Sequence, residues 1–407
     1  MNSKILLIWI VVFLTFGFIQ AQPERKTMQF GGFEREYLVY TPNNSQHNKA
    51  SGMIVCLHGF GRTMSDFFEG YNISHVADSL NLIIAAPQAI EEQDPLVKLQ
   101  ADLINSITNE RISLNSVWGC GLSIKVSLLG MQLLNEELNK DVDDVGFINK
   151  IIDNVLDEFS LTSHNVFILG TSMGGYMSYQ YALINGERLS GLLSIAGSMG
   201  LAVKGMDYNI KIPICDFHSV TDEVVPYTGS MTQYLGLVSL AKDKKEVLDY
   251  WSKTNETGNP VTEQVQNYVS TNDITVEKII YPNPVNEVIH YKANGASHGY
   301  FFRKENGDCM DFIEEISKFI ESHLSDSHTA IPDVIADKVS FYPNPVRDNI
   351  YLDTKNCEVS IFEITGRKIY YQQLSAGQVD LSFLKPGIYI ISIKSGDTLK
   401  FNKLIKQ

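Results

Sequence analysis

The hexapeptide Gly170-Thr171-Ser172-Met173-Gly174-Gly175 lies between an apolar run, Asn165 to Leu169, and a helix-patterned stretch, Tyr176 to Ile184. That order sets a serine on a sharp strand-to-helix turn. A serine hydroxyl is a weak nucleophile in water, so catalysis through it requires that it be lifted from the sheet, given a base and surrounded by amide donors. Glycines at 170, 174 and 175 permit the tight turn and let the following helix pack close to the sheet. An ordinary βα turn fits the same letters, so Ser172 gains meaning only from partners elsewhere in the chain.

A nucleophilic serine needs an imidazole base and a carboxylate that orients it, and on such a turn they follow in the chain order Ser, acid, His. Of the nine histidines, His298 sits on the small-residue loop Asn294-Gly295-Ala296-Ser297-His298-Gly299, just after a strand and before a closing helix. His58 and His218 come too early in that order. For the acid, Asp222 directly follows the strand Ile212 to His218. Its competitors are Asp216, inside that strand and expected to point elsewhere, and the neighbouring Glu223. The oxyanion of the tetrahedral intermediate needs two backbone N–H donors, one from the residue after the nucleophile and one from a loop after an early strand. Those are Met173 and, in the turn His58-Gly59-Phe60-Gly61, Phe60. Such chemistry requires no metal and no organic cofactor.

These residues must be positioned by a sheet. From Arg35 onward the elements alternate as a mostly parallel sheet wrapped by helices requires. Strand-like runs cover Glu36–Tyr40, Met53–Leu57, Leu82–Ala86, Asn165–Leu169, Gly191–Ala196, Ile212–His218 and Glu287–Lys292. Between Asp144 and Phe159, apolar residues recur at three- and four-residue steps and predict a helix with one buried face. A second helix is predicted over Asp308–Leu324, with Asp308 as its cap. Gln93–Lys140 does not resolve into a simple unit and is expected to form an irregular insertion over the active face, with Trp118 amid small and polar residues. Ser325–Asp337 reads as a linker. Residues 338–407 then break into short strand-like runs separated by turns, the pattern of a small β-sandwich.

The set Leu57-His58-Gly59-Phe60-Gly61, Asp143-Asp144-Val145-Gly146-Phe147, Gly170 to Gly175, Thr221-Asp222-Glu223-Val224-Val225-Pro226-Tyr227 and Ser297-His298-Gly299 resembles the α/β-hydrolase family of secreted polyhydroxybutyrate depolymerases and feruloyl or acetylxylan esterases. The resemblance spans roughly residues 30 to 324. It implies that Ser172, Asp222 and His298 form the triad. The chain departs from that family after the histidine, where Gly299-Tyr300-Phe301 replaces a frequent Trp-Pro pair, so substrate choice is left open. The tail, with Phe341-Tyr342-Pro343-Asn344-Pro345-Val346, Gly366-Arg367, Leu384-Lys385-Pro386-Gly387-Ile388-Tyr389 and a basic end, resembles the C-terminal sorting domain of the type IX secretion system. That resemblance implies an export address recognised by secretion machinery and usually removed. A carbohydrate-binding module is the alternative for a small β-sandwich. Tyr281-Pro282-Asn283-Pro284-Val285-Asn286 repeats the first letters of the tail motif, but no sandwich follows; it is read as a turn between two hydrolase strands.

The composition agrees with an exported enzyme. Residues 1–21 have one lysine, an apolar run from Ile5 to Ile19 and a small residue before the cut, the pattern of a cleaved signal peptide rather than a span, which needs about 20 residues. The expected organisation is therefore signal peptide 1–21, hydrolase 22–324, linker 325–337 and sorting domain 338–407. The tail has ten Lys/Arg against six Asp/Glu, whereas residues 22–337 hold 22 against 41. A body that acidic repels nucleic acid, and no later stretch suits stable membrane insertion. Of the five cysteines, Cys56 and Cys215 read as buried thiols, and Cys120 with Cys309 is the pair to test for a bridge. The expected function is hydrolysis of acyl esters on plant polysaccharides, feruloyl or acetyl, by a secreted or surface-attached protein exported through the periplasm. The alternatives are a polyhydroxyalkanoate depolymerase, then a serine peptidase, then a binding protein that keeps the fold without catalysis.

Overall fold

The computed structural model describes residues 22–42, 49–107, 113–128, 131–161, 165–229, 233–234, 237–324, 341–342, 346–352, 357–363, 368–375, 377–395 and 398–406. The expected signal peptide and linker lie outside them. The chain divides into two compact units, 1–325 and 326–407.

The first unit begins with strands β1 (Glu24–Phe30), β2 (Phe33–Tyr40) and β3 (Gly52–Leu57), short helices α1 (Asp66–Glu69) and α2 (Ser74–Leu80), and β4 (Leu82–Pro87). Next come α3 (Pro95–Ile107), β5 (Ser123–Leu128), β6 (Met131–Glu137), α4 (Asp144–Glu158), β7 (Val166–Thr171) and α5 (Met173–Asn185). The rest of the unit is β8 (Gly191–Ile195), β9 (Ile214–Ser219), β10 (Gln233–Tyr234), β11 (Leu237–Leu240), α6 (Lys244–Thr254), β12 (Val261–Gln264), β13 (Thr275–Tyr281), β14 (Val288–Asn294) and α7 (Phe312–His323).

One ten-stranded sheet runs in the order β1-β2-β4-β3-β7-β8-β9-β14-β13-β12. Its centre, from β4 to β14, is parallel, and the edges are antiparallel. The central strands are buried on both faces, which is why they read as continuous apolar runs. Alternate residues feed two cores. Met53, Val55 and Leu57 join Phe147, Ile151 and Val155 of α4 and Trp251 of α6. Ile54 and Cys56 join Val76 of α2 and Phe312, Ile316 and Phe319 of α7 on the other face. This doubly covered parallel sheet, with a serine elbow after β7, is the α/β-hydrolase architecture.

Several expectations are corrected. Gln93–Lys140 is not irregular: it supplies α3 and the β5–β6 pair, which joins β10 and β11 in a four-stranded antiparallel sheet. Polar residues scattered through these strands hid their period. The last helix is capped by Asp311, whose side chain accepts from Ile313 and Glu314 N–H. Asp308 is instead buried, accepting from Tyr300 Oη, Asn272 Nδ2 and Arg303 N. Cys120 and Cys309 are unpaired and belong to cores on opposite faces of the sheet, so they form no bridge; all five thiols are free and buried. Residues 282–287 do form the turn between β13 and β14, where Asn283 Oδ1 accepts from Val285 N and Asn286 N.

In the second unit β15 (Phe341–Tyr342), β16 (Asn349–Leu352) and β19 (Gln378–Asp380) form one sheet, and β17 (Cys357–Glu363), β18 (Lys368–Leu374), β20 (Gly387–Ser395) and β21 (Thr398–Lys406) form another. Ile350, Val359, Val379, Ile391 and Leu404 fill their shared core. No helix among the described residues is long and apolar enough to cross a membrane.

A buried ion pair fastens α4 to the sheet. Arg35 Nη2 on β2 donates to Asp144 Oδ1 at 2.7 Å, its guanidinium stacks on Phe147, and Asp144 Oδ2 accepts from Gly119 N. Removing one partner of such a pair leaves a charge buried alone. Arg35→Ala is therefore expected to cost about 3–5 kcal/mol in a urea unfolding titration; a loss below about 1 kcal/mol would contradict this role for the pair.

Candidate active site

Strand β7 ends at Thr171, and the chain turns so sharply that Ser172 has φ 53° and ψ −122°. A positive φ on a residue with a Cβ is strained and persists only where packing enforces it. The enforcement is visible: a Cβ on Gly174 would overlap Leu57 O and His58 O, and one on Gly170 would overlap Gly174 O. The helix α5 can thus start directly against β3 and β7. Ser172 N donates to Ile195 O at 2.8 Å, which ties the elbow to β8.

The structure brings the three predicted side chains together. His298 Nε2 is 2.9 Å from Ser172 Oγ, and His298 Nδ1 is 2.8 Å from Asp222 Oδ2. Nδ1 donates to the carboxylate, so Nε2 is free to accept the serine proton. Asp222 Oδ1 also accepts from Val224 N and Val225 N at 2.9 and 2.8 Å. Burial alone would raise the Asp222 carboxyl, but hydrogen bonds from His218 and His298 outweigh it and hold the group well below the usual carboxylate range. The acid and histidine loops are cross-tied: Thr221 Oγ1 donates to Ala296 O and accepts from Gly295 N, while Glu223 accepts from His298 N.

Met173 and Phe60 both line the same cleft as Ser172 and His298. The Gly59 turn lies against the elbow, since a Cβ on Gly59 would come 3.3 Å from Ser172 Cβ. Two residues that the spacing argument passed over hold that turn. Trp118 Nε1 donates to His58 O at 2.9 Å, and His58 Nε2 accepts from Ala89 N at 3.1 Å. Asp216, the rejected acid, points away into a buried network with Lys244 Nζ at 2.9 Å, Tyr179 Oη at 2.9 Å and His290 Nδ1 at 2.7 Å. His218, excluded as a base, turns out to touch Asp222, with Nε2 3.4 Å from Oδ2. The cleft, of about 620 Å³, pairs aromatic and aliphatic walls from Phe60, Tyr71, Leu122, Leu138 and Val225 with a charged rim of Arg62, Asp66 and Glu69.

Residues 133–273 match the profile of the family described as Phospholipase/Carboxylesterase, and residues 340–407 that of the Secretion system C-terminal sorting domain. The first unit has the α/β-hydrolase fold, and the tail matches a sorting-domain profile. The first matched segment of this hydrolase contains Ser172 and Asp222 and stops before His298. The chain is similar to the probable feruloyl esterase C of Aspergillus flavus, with 24% identity over 200 residues, 49% of this chain and 59% of that protein. Feruloyl esterase C of Emericella nidulans is 30% identical over 95 residues, 23% of this chain and 34% of that protein. The chain thus spans little more than half the length of the former. Among solved structures, an acetyl xylan esterase from Aspergillus awamori superposes with a TM-score of 0.46 at 13% identity, covering 73% of this chain and 99% of that one. An S-formylglutathione hydrolase from Agrobacterium tumefaciens gives 0.47 at 13% identity, covering 75% and 96%.

Two buried histidines predict that the first unit loses stability in acid. Burial lowers His58 to about 4, against a smaller opposing effect of its bond to Gly59 O. It also lowers His290, against the opposing pull of Asp216. Between the unfolded value of about 6.5 and these lower values, the unfolded chain takes up protons that the folded chain refuses, so falling pH favours unfolding. Stability is expected to be full above pH about 6.5 and to drop toward pH about 4, by about 3 kcal/mol from His58 alone. Urea midpoints measured across that window test this, and a flat profile would refute it.

Proposed function

We propose that the protein is an exported serine carboxylic ester hydrolase acting on acyl esters of plant polysaccharides through Ser172, His298 and Asp222. One observation carries the reading: His298 bridges Ser172 Oγ and Asp222 at 2.9 and 2.8 Å inside an open cleft. In the first half-reaction His298 Nε2 takes the Ser172 proton as Oγ adds to the ester carbonyl. The N–H groups of Met173 and Phe60 receive the oxyanion. His298 then passes the proton to the departing alcohol and leaves an acyl-enzyme. Water, deprotonated by the same nitrogen, attacks the acyl carbon, and Ser172 departs with the proton restored. Asp222 holds the imidazole tautomer throughout and stabilises its protonated form.

The feruloyl esterase relatives support an aromatic acyl group, as do the aromatic and aliphatic cleft walls and a volume suited to a ligand of that size. Acetyl groups are the second choice. For the tail we propose an address read by type IX secretion machinery, which delivers the hydrolase to the medium or the cell surface. The proposed boundaries are 22–324 for the hydrolase, 325–337 for the linker and 338–407 for the sorting domain.

With methyl ferulate as substrate, Ser172→Ala is expected to lower kcat at least about 10⁴-fold without unfolding the protein. Retained turnover in that variant would end the mechanism. Deleting residues 338–407 in the bacterial host is expected to strand full-strength esterase activity in the periplasm. Unchanged appearance of the enzyme outside the cell would exclude the tail as its address.

A further inference from the structure

We infer that His218 is a positioning residue for this site: it anchors the acid loop through Val225 O and sets its N–H beside Asp222, thereby fixing the carboxylate and tuning its hold on His298. The inference rests on the catalytic reading of Ser172, Asp222 and His298 given above. His218 sits at the end of β9, buried, four residues before the acid. Its Nε2 lies 2.8 Å from Val225 O and 3.4 Å from Asp222 Oδ2. A carbonyl oxygen can only accept, so Nε2 carries the proton, gives it to Val225 O and stands 3.4 Å from the carboxylate. Nδ1 is buried and has no partner among the described residues. The ring therefore acts as a single fixed donor, with Tyr227 edge-on beside it.

This donor works at two points. By holding Val225 O it anchors the loop whose Val224 and Val225 amides bind Asp222 Oδ1. By reaching Oδ2 it contacts the same oxygen that receives His298 Nδ1. Asp222 thus stands between two imidazoles, one facing the serine and one behind. A lysine or arginine in the rear position would also donate, but its full positive charge would weaken the carboxylate's hold on protonated His298. The other charged or titratable groups around the pair already have partners. From β9 and β14, Asp216 and His290 bind each other, and Lys244 of α6 binds Asp216. Tyr227 donates to His290, Lys292 pairs with Glu277, and Glu223 takes His298 N. None of them supplies the second contact on Oδ2.

The test compares His218→Gln, whose amide can place a donor near Nε2, with His218→Met, which has similar length and no donor. Turnover of methyl ferulate by the full chain and its abolition by Ser172→Ala are established first; absence of wild-type turnover would overturn the functional reading and this inference together. With wild-type turnover in hand, His218→Met is expected to lower kcat about 10–100-fold with KM within about twofold. Its acid limb of kcat/KM should move to higher pH, because Asp222, without that N–H dipole beside it, attracts the imidazolium of the catalytic cycle more strongly. His218→Gln should restore kcat to within about threefold of wild type and return the limb. Wild-type kinetics in His218→Met would overturn the inference. Equal losses in both variants with an unmoved acid limb would also overturn it, because they would mark a packing role only. If His218→Met does not fold by circular dichroism, His218→Asn, too short to reach Val225 O, takes its place with the same expected loss.

Discussion

Ser172 and His298 stand 126 residues apart in the chain and must meet at 2.9 Å. Everything else in the first unit follows from that constraint. Parallel strands solve it, because β7, β9 and β14 all end on the same edge of the sheet and the loops that follow them are brought together there. Two adjacent loops can then be tied to each other, as Thr221 ties to Gly295 and Ala296. The serine itself needs a backbone conformation that a residue with a Cβ resists. Packing of Gly174 against Leu57 O and His58 O supplies the force that holds it.

The electrostatics divide along the same lines. The acidic carboxylate beside the cleft is held well below the usual range chiefly by N–H donors and by the two imidazoles that flank it. The buried cations of the first unit, Arg35 and Lys244, are each paired with an aspartate outside the triad. Two further histidines are neutral by burial and by fixed tautomer: His58 donates to Gly59 O and accepts from Ala89 N, and His290 donates to Asp216 and accepts from Tyr227. His298, partly exposed in the cleft, is the one in contact with the serine.

Much of this was legible in the residues. The central strands could be read because burial on both faces makes them continuous apolar runs, and Ser172, Asp222 and His298 could be chosen because chain order restricts which histidine and acid can serve. The edge strands β1 and β12 escaped, since Glu24–Phe30 and Val261–Gln264 expose most of their side chains and lack an apolar signature. Asp308 looked like a cap because it precedes an apolar helical pattern. Its carboxylate was already committed to Tyr300 and Asn272, and the backbone turn three residues later gave the cap to Asp311. His218 was set aside by a rule that asks which histidine can be the base. That rule is silent on which one can donate to the acid. Trp118 could be flagged in sequence, but its hydrogen bond to His58 O depends on a long-range approach of the insertion to the β3 turn.

The central claim is that Ser172 is the nucleophile and that His298 activates it. The most direct measurement is labelling of the full chain with a serine-directed phosphonate, followed by mass spectrometric location of the adduct and the labelling rate in His298→Ala. The account predicts one adduct, on the peptide containing Ser172, formed at least about 10³-fold more slowly when the imidazole is removed. An adduct on another residue, or labelling at an undiminished rate without His298, would contradict it.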